Sequence, residues 1–463
     1  MATIKFGTDG WRDIIGENFT FANLAKVTDA YAIYMLQKYN KPQIIIGYDN
    51  RFLSEKYADF VAQRLKEYGF NILIFDKSVP TPLVSFGIIH LKLNGGIMIT
   101  SSHNPYYYNG FKIKNENGAG ATPDVTKKVE ELIQKPKKII SKKGKIESIN
   151  LDNEYIESIR QLIDINRIKK SNMKIVVDYM YGSAAGYIKK ILGEYDKLYE
   201  INNYRDPLFG GITPEPIRKN LLNTEKRVRE LKADIGIVLD GDGDRMAFID
   251  DRAKFTTTHK ALVFILLHHI KNKDIKIKFA KTISGTALLN ILTKENNIKL
   301  YETPVGFKYI AEMMQKDKSI IGGEESGGIG FGYFMPERDG VLSNLTILEF
   351  LAKEGKNPSQ IINELNKKYG SFLYDRIDLT FKEKDREKIL KKVYELEKKG
   401  HILNKKITYI NKLDGIKYFM GDNQWLLFRF SGTEPLLRIY SEAPSLKDVR
   451  DNLTFGRKLV LKD

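Results

Sequence analysis

Three aspartates stand close together in segment 240–245, which reads Asp-Gly-Asp-Gly-Asp-Arg. Carboxylates at this spacing repel one another by several kcal/mol even at an effective dielectric of about 20, so a cation or positive partners must keep them ionised together. Ligand sets made only of oxygen suit Mg²⁺ or Mn²⁺, which keep places for water and phosphate oxygens. The sequence therefore predicts a divalent-cation site formed by Asp240, Asp242 and Asp244.

An EF-hand calcium loop also begins with alternating carboxylates, but this segment departs from it. The sixth position, where that loop requires glycine, is Arg245, and the twelfth, where it has glutamate, is Asp251. The segment also follows a predicted strand rather than a helix. The remaining alternative is a solvated turn without a metal.

A hydroxyl and an imidazole adjoin at Ser102 and His103, in segment 100–105, Thr-Ser-Ser-His-Asn-Pro. The Gly-x-Ser-x-Gly elbow of a Ser-His-Asp hydrolase is absent from the sequence. A phosphate-carrying hydroxyl beside a carboxylate-bound cation would instead make a phosphoryl-transfer centre, where positioning and charge neutralisation supply most of the catalysis. Lys112 could orient a proton transfer there or neutralise phosphate. The alternative for the segment around Ser102 is a polar turn, and the alternative for Lys112 is a lysine on the surface.

Further polar loops contain the groups that a sugar phosphate needs. Segment 323–328, Gly-Glu-Glu-Ser-Gly-Gly, offers a carboxylate and a hydroxyl to sugar hydroxyls at Glu324 and Ser326. Segment 429–435, Arg-Phe-Ser-Gly-Thr-Glu-Pro, is typical of an anion-binding loop, because arginine, hydroxyl and backbone N–H groups all donate to phosphate. Each of these loops could instead be a structural turn. The predicted phosphate ligands are Arg12, from the glycine-rich N-terminal segment, and Arg429, Ser431, Gly432, Thr433 and Arg438.

One structural unit recurs three times along the chain and must position these loops. Each unit has an apolar strand, a helix, a second strand near a Thr-Pro pair, another helix and a third apolar strand. The predicted first strands are Gln43–Asp49, Lys174–Tyr179 and Lys276–Thr282, and the helices after them are Ser54–Tyr68, Ser183–Leu192 and Thr286–Asn296. The Thr-Pro pairs are Thr81-Pro82, Thr213-Pro214 and Thr303-Pro304, and the third strands are Gly95–Thr100, Asp234–Leu239 and Ser319–Ile321.

The third strands run into the serine, aspartate and Glu-Glu-Ser loops. Because ligands gather outside the carboxyl ends of strands in open α/β sheets, three equivalent loops could face one cleft. The sequence predicts three repeated α/β domains with mixed sheets and a C-terminal α+β domain around a central cleft. The predicted domains are 1–149, 150–250, 251–367 and 368–463, with a linker at Gln134–Asn150, a charged helix at Lys384–Lys399 and turns at Asn404–Lys406 and Asp414-Gly415.

Composition excludes several classes of protein. With 463 residues, 42% of them hydrophobic, the chain can build several full cores, but it has no apolar run of the roughly 20 residues that cross a membrane. Zero cysteines exclude disulfides, thiol catalysis and cysteine-ligated metal. The net charge of +17 comes from lysines spread widely, without the aromatic-basic stripe expected of a nucleic-acid-binding protein. The N-terminus lacks a secretory pattern, so a cytoplasmic location is expected.

Segments 7–12, 100–105, 240–245, 323–327 and 429–435 together resemble the α-D-phosphohexomutase superfamily in their order and approximate spacing, most closely its phosphoglucomutase/phosphomannomutase branch. The resemblance implies a phosphorylated Ser102 and a Mg²⁺ ion held by that phosphoserine and the three aspartates. It also implies that Arg245 lies beside the transferred phosphoryl group. It implies proton-transfer roles for His103 and Lys112. It implies contacts to the sugar from Glu324, Ser326 and the loop from Thr303 to Gly306, and a sugar-phosphate contact from Lys281. The implied phosphate clamp consists of Arg429, Ser431, Gly432 and Thr433.

The implied reaction interconverts hexose 1-phosphate and hexose 6-phosphate through a hexose 1,6-bisphosphate, with glucose favoured and mannose open. Several relatives end the sugar loop in Ser-Gly-His, whereas this chain has Gly328. That departure weakens the alternative of a phosphoglucosamine mutase. A metal-dependent sugar phosphatase and a non-catalytic binding protein are further hypotheses. The expected partners are small-molecule sugar phosphates, with no nucleic acid and no membrane, and the chain is expected to be a monomer or a homodimer.

Overall fold

A computed structural model of the protein describes residues 4–7, 9–133, 144–273, 276–431 and 435–461. Its strands form four large sheets, of which three are mixed and the fourth is antiparallel. The expectation of three related α/β domains followed by an α+β domain is therefore confirmed. The predicted domain boundaries themselves stay predictions.

Domain I contains a six-stranded sheet in the order β1-β5-β4-β2-β3-β6. The elements are β1 (Trp11–Ile14), α1 (Phe21–Leu36), β2 (Gln43–Tyr48), α2 (Ser54–Glu67), β3 (Asn71–Phe75), α3 (Thr81–His90), β4 (Gly95–Ile99), β5 (Tyr108–Lys114), α4 (Pro123–Ile133) and β6 (Lys145–Ile149).

Domain II contains a five-stranded sheet in the order β11-β10-β9-β7-β8. The third strand of its repeated unit, Ile235–Leu239, is buried at every position, which fits a strand covered on both faces. The elements are α5 (Asp152–Arg160), α6 (Ile165–Ser171), β7 (Ile175–Asp178), α7 (Tyr187–Leu192), β8 (Leu198–Ile201), α8 (Leu222–Leu231), β9 (Ile235–Leu239), β10 (Met246–Ile249) and β11 (Phe255–Thr256).

Domain III contains a five-stranded sheet in the order β13-β12-β14-β15-β16. Its last two helices start at polar caps: the Asp339 side chain accepts from the Leu342 N–H, and Asn357 with Gln360 forms a capping box. The elements are α9 (Thr258–Asn272), β12 (Lys278–Thr282), α10 (Leu288–Glu295), β13 (Leu300–Thr303), α11 (Phe307–Lys316), β14 (Ile320–Gly323), β15 (Ile329–Phe331), β16 (Met335–Arg338), α12 (Gly340–Glu354) and α13 (Pro358–Tyr369).

Domain IV contains an antiparallel sheet in the order β17-β23-β22-β21-β20 and a small hairpin of β18 and β19. The elements are β17 (Leu373–Thr380), α14 (Arg386–Lys399), β18 (His401–Ile402), β19 (Lys405–Lys406), β20 (Tyr409–Asn411), β21 (Ile416–Phe419), β22 (Trp425–Phe430), β23 (Leu436–Ala443) and α15 (Leu446–Leu461).

The threefold repeat is confirmed by strand order. In each of the first three sheets the first strand of the unit lies between the second and third, as β3-β2-β4, β8-β7-β9 and β13-β12-β14, and all these pairs are parallel. The next strand, β5, β10 or β15, returns antiparallel to the third. The three site loops therefore leave their sheets at equivalent places.

Three local predictions were wrong in part. The helix expected from Ser183 begins only at Tyr187, because Gly186 has a φ of +80° and interrupts it. The predicted linker Gln134–Asn150 includes β6, which pairs in parallel with β3; residues 134–143 lie outside the described residues. The predicted turn Asn404–Lys406 includes β19, which pairs with β18.

Candidate active site

A cleft of about 920 Å³ opens where the four domains meet. The expected arrangement around a central cleft is thus confirmed. The residues predicted from sequence that line it are Arg12, His103, Arg245, Gly306, Glu324, Ser326, Arg429 and Arg438.

The three aspartates of segment 240–245 lie together in the turn between β9 and β10. Asp240, Asp242 and Asp244 are fully buried, and each offers a carboxylate oxygen within 4.8 Å of the others. Burial and the neighbouring carboxylates of Asp242 and Asp244 raise the pKa of Asp240 well above its usual range. A group of oxygen atoms under such repulsion is a suitable site for a divalent cation.

Two atoms of this cluster support the same conclusion. Oδ1 of Asp242 and Oδ1 of Asp244 are buried and form no hydrogen bond within the described part of the chain, although buried polar atoms normally have a partner. A hard cation such as Mg²⁺ would satisfy both oxygens. The residues present therefore fit the ion that the sequence predicted.

Lys112, on β5, supplies positive charge to this cluster from domain I. Its Nζ lies 2.8 Å from Asp242, 3.3 Å from Asp244 and 2.9 Å from Asp9. Burial lowers the pKa of Lys112, but these carboxylates outweigh burial and raise it above its ordinary value. Lys112 is therefore held as a cation and suits charge neutralisation better than proton acceptance.

Ser102 is fully buried at the turn after β4 and faces the aspartates. Its Oγ lies 3.3 Å from Asp240 Oδ2 and 3.3 Å from Nδ1 of His103. Burial, with the positive charges of Arg245 and Arg12, holds the pKa of His103 well below its ordinary value. The imidazole is therefore neutral.

Two of the predicted Thr-Pro pairs contact the aspartate turn. Thr81 donates through its hydroxyl to Asp242 Oδ2 at 2.5 Å and through its backbone N–H to the Asp242 carbonyl at 2.8 Å. The Pro214 carbonyl accepts from the Gly241 N–H at 3.2 Å. The turn is thus held from domain I and from its own domain.

The loop between β14 and β15 pairs with the aspartate turn. Arg245 forms an isolated bridge with Gly328, and the Met246 N–H donates to the Gly327 carbonyl at 3.0 Å. Burial raises the pKa of Glu324, whose carboxylate lies 3.4 Å from Arg338. These contacts place the predicted sugar-reading groups beside the predicted phosphoryl-transfer groups.

Gly328 lies where the packing leaves no room for a side chain. A Cβ at this position would lie 2.2 Å from Cδ of Arg338 and 3.2 Å from Glu324 Oε1. The stem of Arg338 therefore occupies the space that any side chain at position 328 would need.

Arg338 and Asp9 are site residues that the sequence analysis did not select as ligands. The Arg338 guanidinium lies 2.7 Å from Asp9 and 2.7 Å from Asp244, in addition to its contact with Glu324. Arg338 is one charged residue within segment 336–340, Pro-Glu-Arg-Asp-Gly, which has no distinguishing spacing. Asp9 lies in the glycine-rich N-terminal segment, which was a usable signal.

Domain IV contributes arginines to the cleft. The Arg429 Nε donates to Asp414 at 2.7 Å, and the same Asp414 oxygen accepts from the Val305 N–H of domain III at 2.9 Å. Arg376, which the sequence analysis missed, also lines the cleft beside Arg438. Ser431 is buried at the end of β22, whereas the predicted ligands Gly432 and Thr433 lie outside the described residues.

Among the described residues, three predicted substrate ligands do not line the cleft: Lys281, Thr303 and Ser431. Lys281 is buried and donates to the Thr286 carbonyl at 2.9 Å and to Asn290 at 2.6 Å. Thr303 is also buried, and its hydroxyl donates to the Pro304 carbonyl at 3.0 Å. Arg12 does line the cleft, where it donates to Asn104 at 3.0 Å. Lys281 therefore serves the packing of domain III in this conformation.

Fold and site together define a four-domain α/β protein with a buried carboxylate cluster beside an arginine-lined cleft. Profiles of the phosphoglucomutase/phosphomannomutase family match four stretches of the chain: its α/β/α domain I at residues 3–139, domain II at 153–254, domain III at 259–369 and its C-terminal domain at 379–452. The chain belongs to this family and is therefore an enzyme of the intramolecular phosphotransferase class.

Individual relatives match over nearly the whole chain. A phosphoglucomutase/phosphomannomutase of Thermococcus kodakarensis is 33% identical over 462 residues, which cover 98% of each chain. A phosphoglucosamine mutase of Methanocaldococcus jannaschii is 30% identical, also over 98% of each. The crystal structure of a putative phosphomannomutase from Thermus thermophilus is 32% identical and superposes with a TM-score of 0.87 over 99% of each chain. No helix among the described residues is long and apolar enough to span a membrane.

Proposed function

We propose that the enzyme interconverts hexose 1-phosphate and hexose 6-phosphate through a phosphoserine at Ser102 and a hexose 1,6-bisphosphate. The observation that carries the proposal is the position of the Ser102 hydroxyl, 3.3 Å from Asp240 at a carboxylate cluster suited to Mg²⁺. Hexose bisphosphate is the expected activator, since it can phosphorylate Ser102.

In the proposed transfer the bond between phosphorus and Ser102 Oγ breaks, and a bond between phosphorus and a hexose hydroxyl oxygen forms. The proton of that hydroxyl passes to His103, whose Nδ1 lies 3.3 Å from Ser102 Oγ, and from His103 to the Oγ that leaves phosphorus. Lys112 stays charged, and Arg245, whose buried Nε has no hydrogen-bond partner among the described residues, can donate to the phosphoryl oxygens. A Mg²⁺ ion held by Asp240, Asp242, Asp244 and the phosphoserine would neutralise negative charge during transfer.

The proposed phosphate clamp lies on a different domain from the phosphate donor. Arg429, with Arg438 and the newly found Arg376, would bind the phosphate that does not react. Ser431, Gly432 and Thr433 would add donors, and Arg12 could contact a phosphate from domain I. Because donor and clamp are separate, a bisphosphate that turns over in the cleft presents its other phosphate to Ser102.

Glucose is the favoured sugar, and mannose remains a candidate. The names of relatives such as the Methanocaldococcus jannaschii protein make glucosamine a second candidate. One observation here favours it too: both Glu324 and Glu325 line the cleft, and a carboxylate attracts a protonated amino group. Gly328, where several relatives have histidine, argues instead against glucosamine.

Phosphorus NMR with Mg²⁺ and a trace of glucose 1,6-bisphosphate tests this proposal on the 1-phosphates of glucose, mannose and glucosamine. Wild-type enzyme should convert at least one of them to its 6-phosphate, and Ser102→Ala should not. Ser101→Ala is the matched control, because the adjacent hydroxyl is buried and forms no hydrogen bond with any described residue. Full turnover by Ser102→Ala would refute the phosphoserine, and release of free phosphate would indicate a phosphatase.

A further inference from the structure

Arg51 is fully buried beneath the segment that carries Ser102. An arginine has five N–H donors, and here all five have acceptors. The Nε donates to the carboxylate of Asp49 at 3.1 Å. The other four donate to backbone carbonyls, those of Ser102 at 2.6 Å, Asn104 at 2.7 Å, Pro105 at 2.8 Å and Tyr108 at 3.2 Å.

Ser102 needs such support because its backbone is strained. Its φ of +51° lies in the left-handed region, which non-glycine residues adopt only where surrounding contacts enforce it. The shortest bond of the Arg51 guanidinium is to the Ser102 carbonyl itself. Asp49 fixes the guanidinium in turn, since it accepts from Ser54 at 2.7 Å and from Thr100 at 2.5 Å.

The second repeat shows whether the turn after the first strand of a unit requires an arginine. Asp178 follows the same path at the end of β7 as Asp49 does after β2: each accepts from the backbone N–H two residues later, that of Met180 at 2.8 Å and that of Arg51 at 3.0 Å. The turn that follows Asp178 therefore forms without an arginine. The guanidinium occurs in the repeat whose third strand leads to Ser102.

We propose that Arg51 is a positioning residue for phosphoryl transfer, which holds Ser102 in its left-handed geometry so that Oγ faces the aspartate cluster. The inference rests on the proposed function, in which Ser102 carries the phosphate. The guanidinium of Arg51 reaches the serine loop through backbone carbonyls, so its loss affects the chemical step rather than substrate binding.

The test compares Arg51→Met and Arg51→Lys with wild type, by kcat, KM, phosphoserine content from mass spectrometry and the melting temperature. Methionine is the residue that the second repeat has at the equivalent position, so the variant should fold. We expect kcat of Arg51→Met to fall at least about 100-fold with KM within about threefold, since misplacement by 1 Å can cost that much. Lysine, with its charge but no fork, should restore part of kcat.

Arg64→Met is the matched control, because Arg64 pairs with Asp29 in the same domain, away from the serine loop. It should keep the wild-type kcat. If Arg51→Met folds and its kcat is unchanged, the inference is wrong. The inference is also wrong if Arg51→Met fails to fold while Arg51→Lys has the wild-type kcat. If both Arg51 variants fail to fold, the role is structural and the inference is also wrong. Wild-type enzyme that gains no phosphoserine on incubation with Mg²⁺ and glucose 1,6-bisphosphate would refute the proposed function itself. A wild type that is phosphorylated in this way, beside an unimpaired Arg51→Met, would refute only the role of Arg51.

Discussion

The guanidinium of Arg338 donates to the carboxylate of Asp244 at 2.7 Å across 94 residues of sequence. This bond joins domain III to the aspartate cluster of domain II. The same guanidinium reaches Asp9 of domain I at 2.7 Å. One side chain thus connects the three repeated domains at the site.

Replacement of Arg338 by methionine should impair both stability and activity. Asp9, Asp244 and Glu324 would lose a buried cation, and removal of one partner from a buried ion pair costs about 3–5 kcal/mol. We expect a lower melting temperature and a fall in kcat/KM of at least about 100-fold. Arg338→Lys, which retains the charge, is the control and should lose less of both. Equal losses in the two variants would show that charge is not the property that matters.

Asp414 should matter for substrate binding more than for chemistry. It anchors Arg429 and the Val305 N–H through one oxygen, and so aligns the phosphate clamp with domain III. Asp414→Ala should raise KM for hexose phosphate roughly tenfold, about 1.4 kcal/mol, with little change in kcat. Asp422→Ala, at an exposed position of the same domain, should behave like wild type. A fall in kcat at constant KM would contradict this role.

Mg²⁺ should stabilise the folded protein as well as activate it. An ion that binds only the folded state adds about 2.7 kcal/mol at a hundred times its dissociation constant. The melting temperature should therefore rise by a few degrees with Mg²⁺ and fall again with EDTA, which should also stop turnover. Asp240→Asn should abolish the Mg²⁺ effect on melting. An equal shift in that variant would place the ion elsewhere.

Acid should weaken the packing between α9 and α12 through Glu349. Burial disfavours its charged form, but hydrogen bonds from His268 and Lys273 outweigh burial and lower its pKa from 4.5 to about 2. A carboxyl with a depressed pKa contributes stability above its unfolded value and loses that contribution as pH falls through the folded value. The contribution, on the order of 3 kcal/mol, should therefore disappear between about pH 4.5 and pH 2.

The check is the melting temperature of Glu349→Gln against wild type at several pH values. The variant should be less stable at pH 7, and the difference should narrow as pH falls below 4.5. Glu395→Gln, at an exposed position, should show no pH-dependent difference. A constant gap down to pH 3 would mean that the Glu349 carboxylate is not the titrating group.

Much of the site was predictable because its chemistry is concentrated in short segments. The aspartate cluster, the Ser102–His103 pair and Arg429 were each recognised from neighbours within a few residues, and the structure brings all of them to one region. The substrate contact of Lys281 stays a prediction, because a lone lysine has no local signal for the direction of its side chain. The helix start at Ser183 was misplaced because one left-handed glycine outweighed the local pattern.

The sequence by itself determined the order of strands and helices, the threefold repeat and the identity of the carboxylate cluster, because hydrophobic periodicity and residue spacing are local properties. Tertiary structure alone decided that Arg338 contacts Asp9, 329 residues away, and that five acceptors surround Arg51. Such contacts depend on how whole domains pack. The partners of one buried charged side chain come from segments that meet only when the domains have packed. The spacing of residues along the chain does not encode that burial.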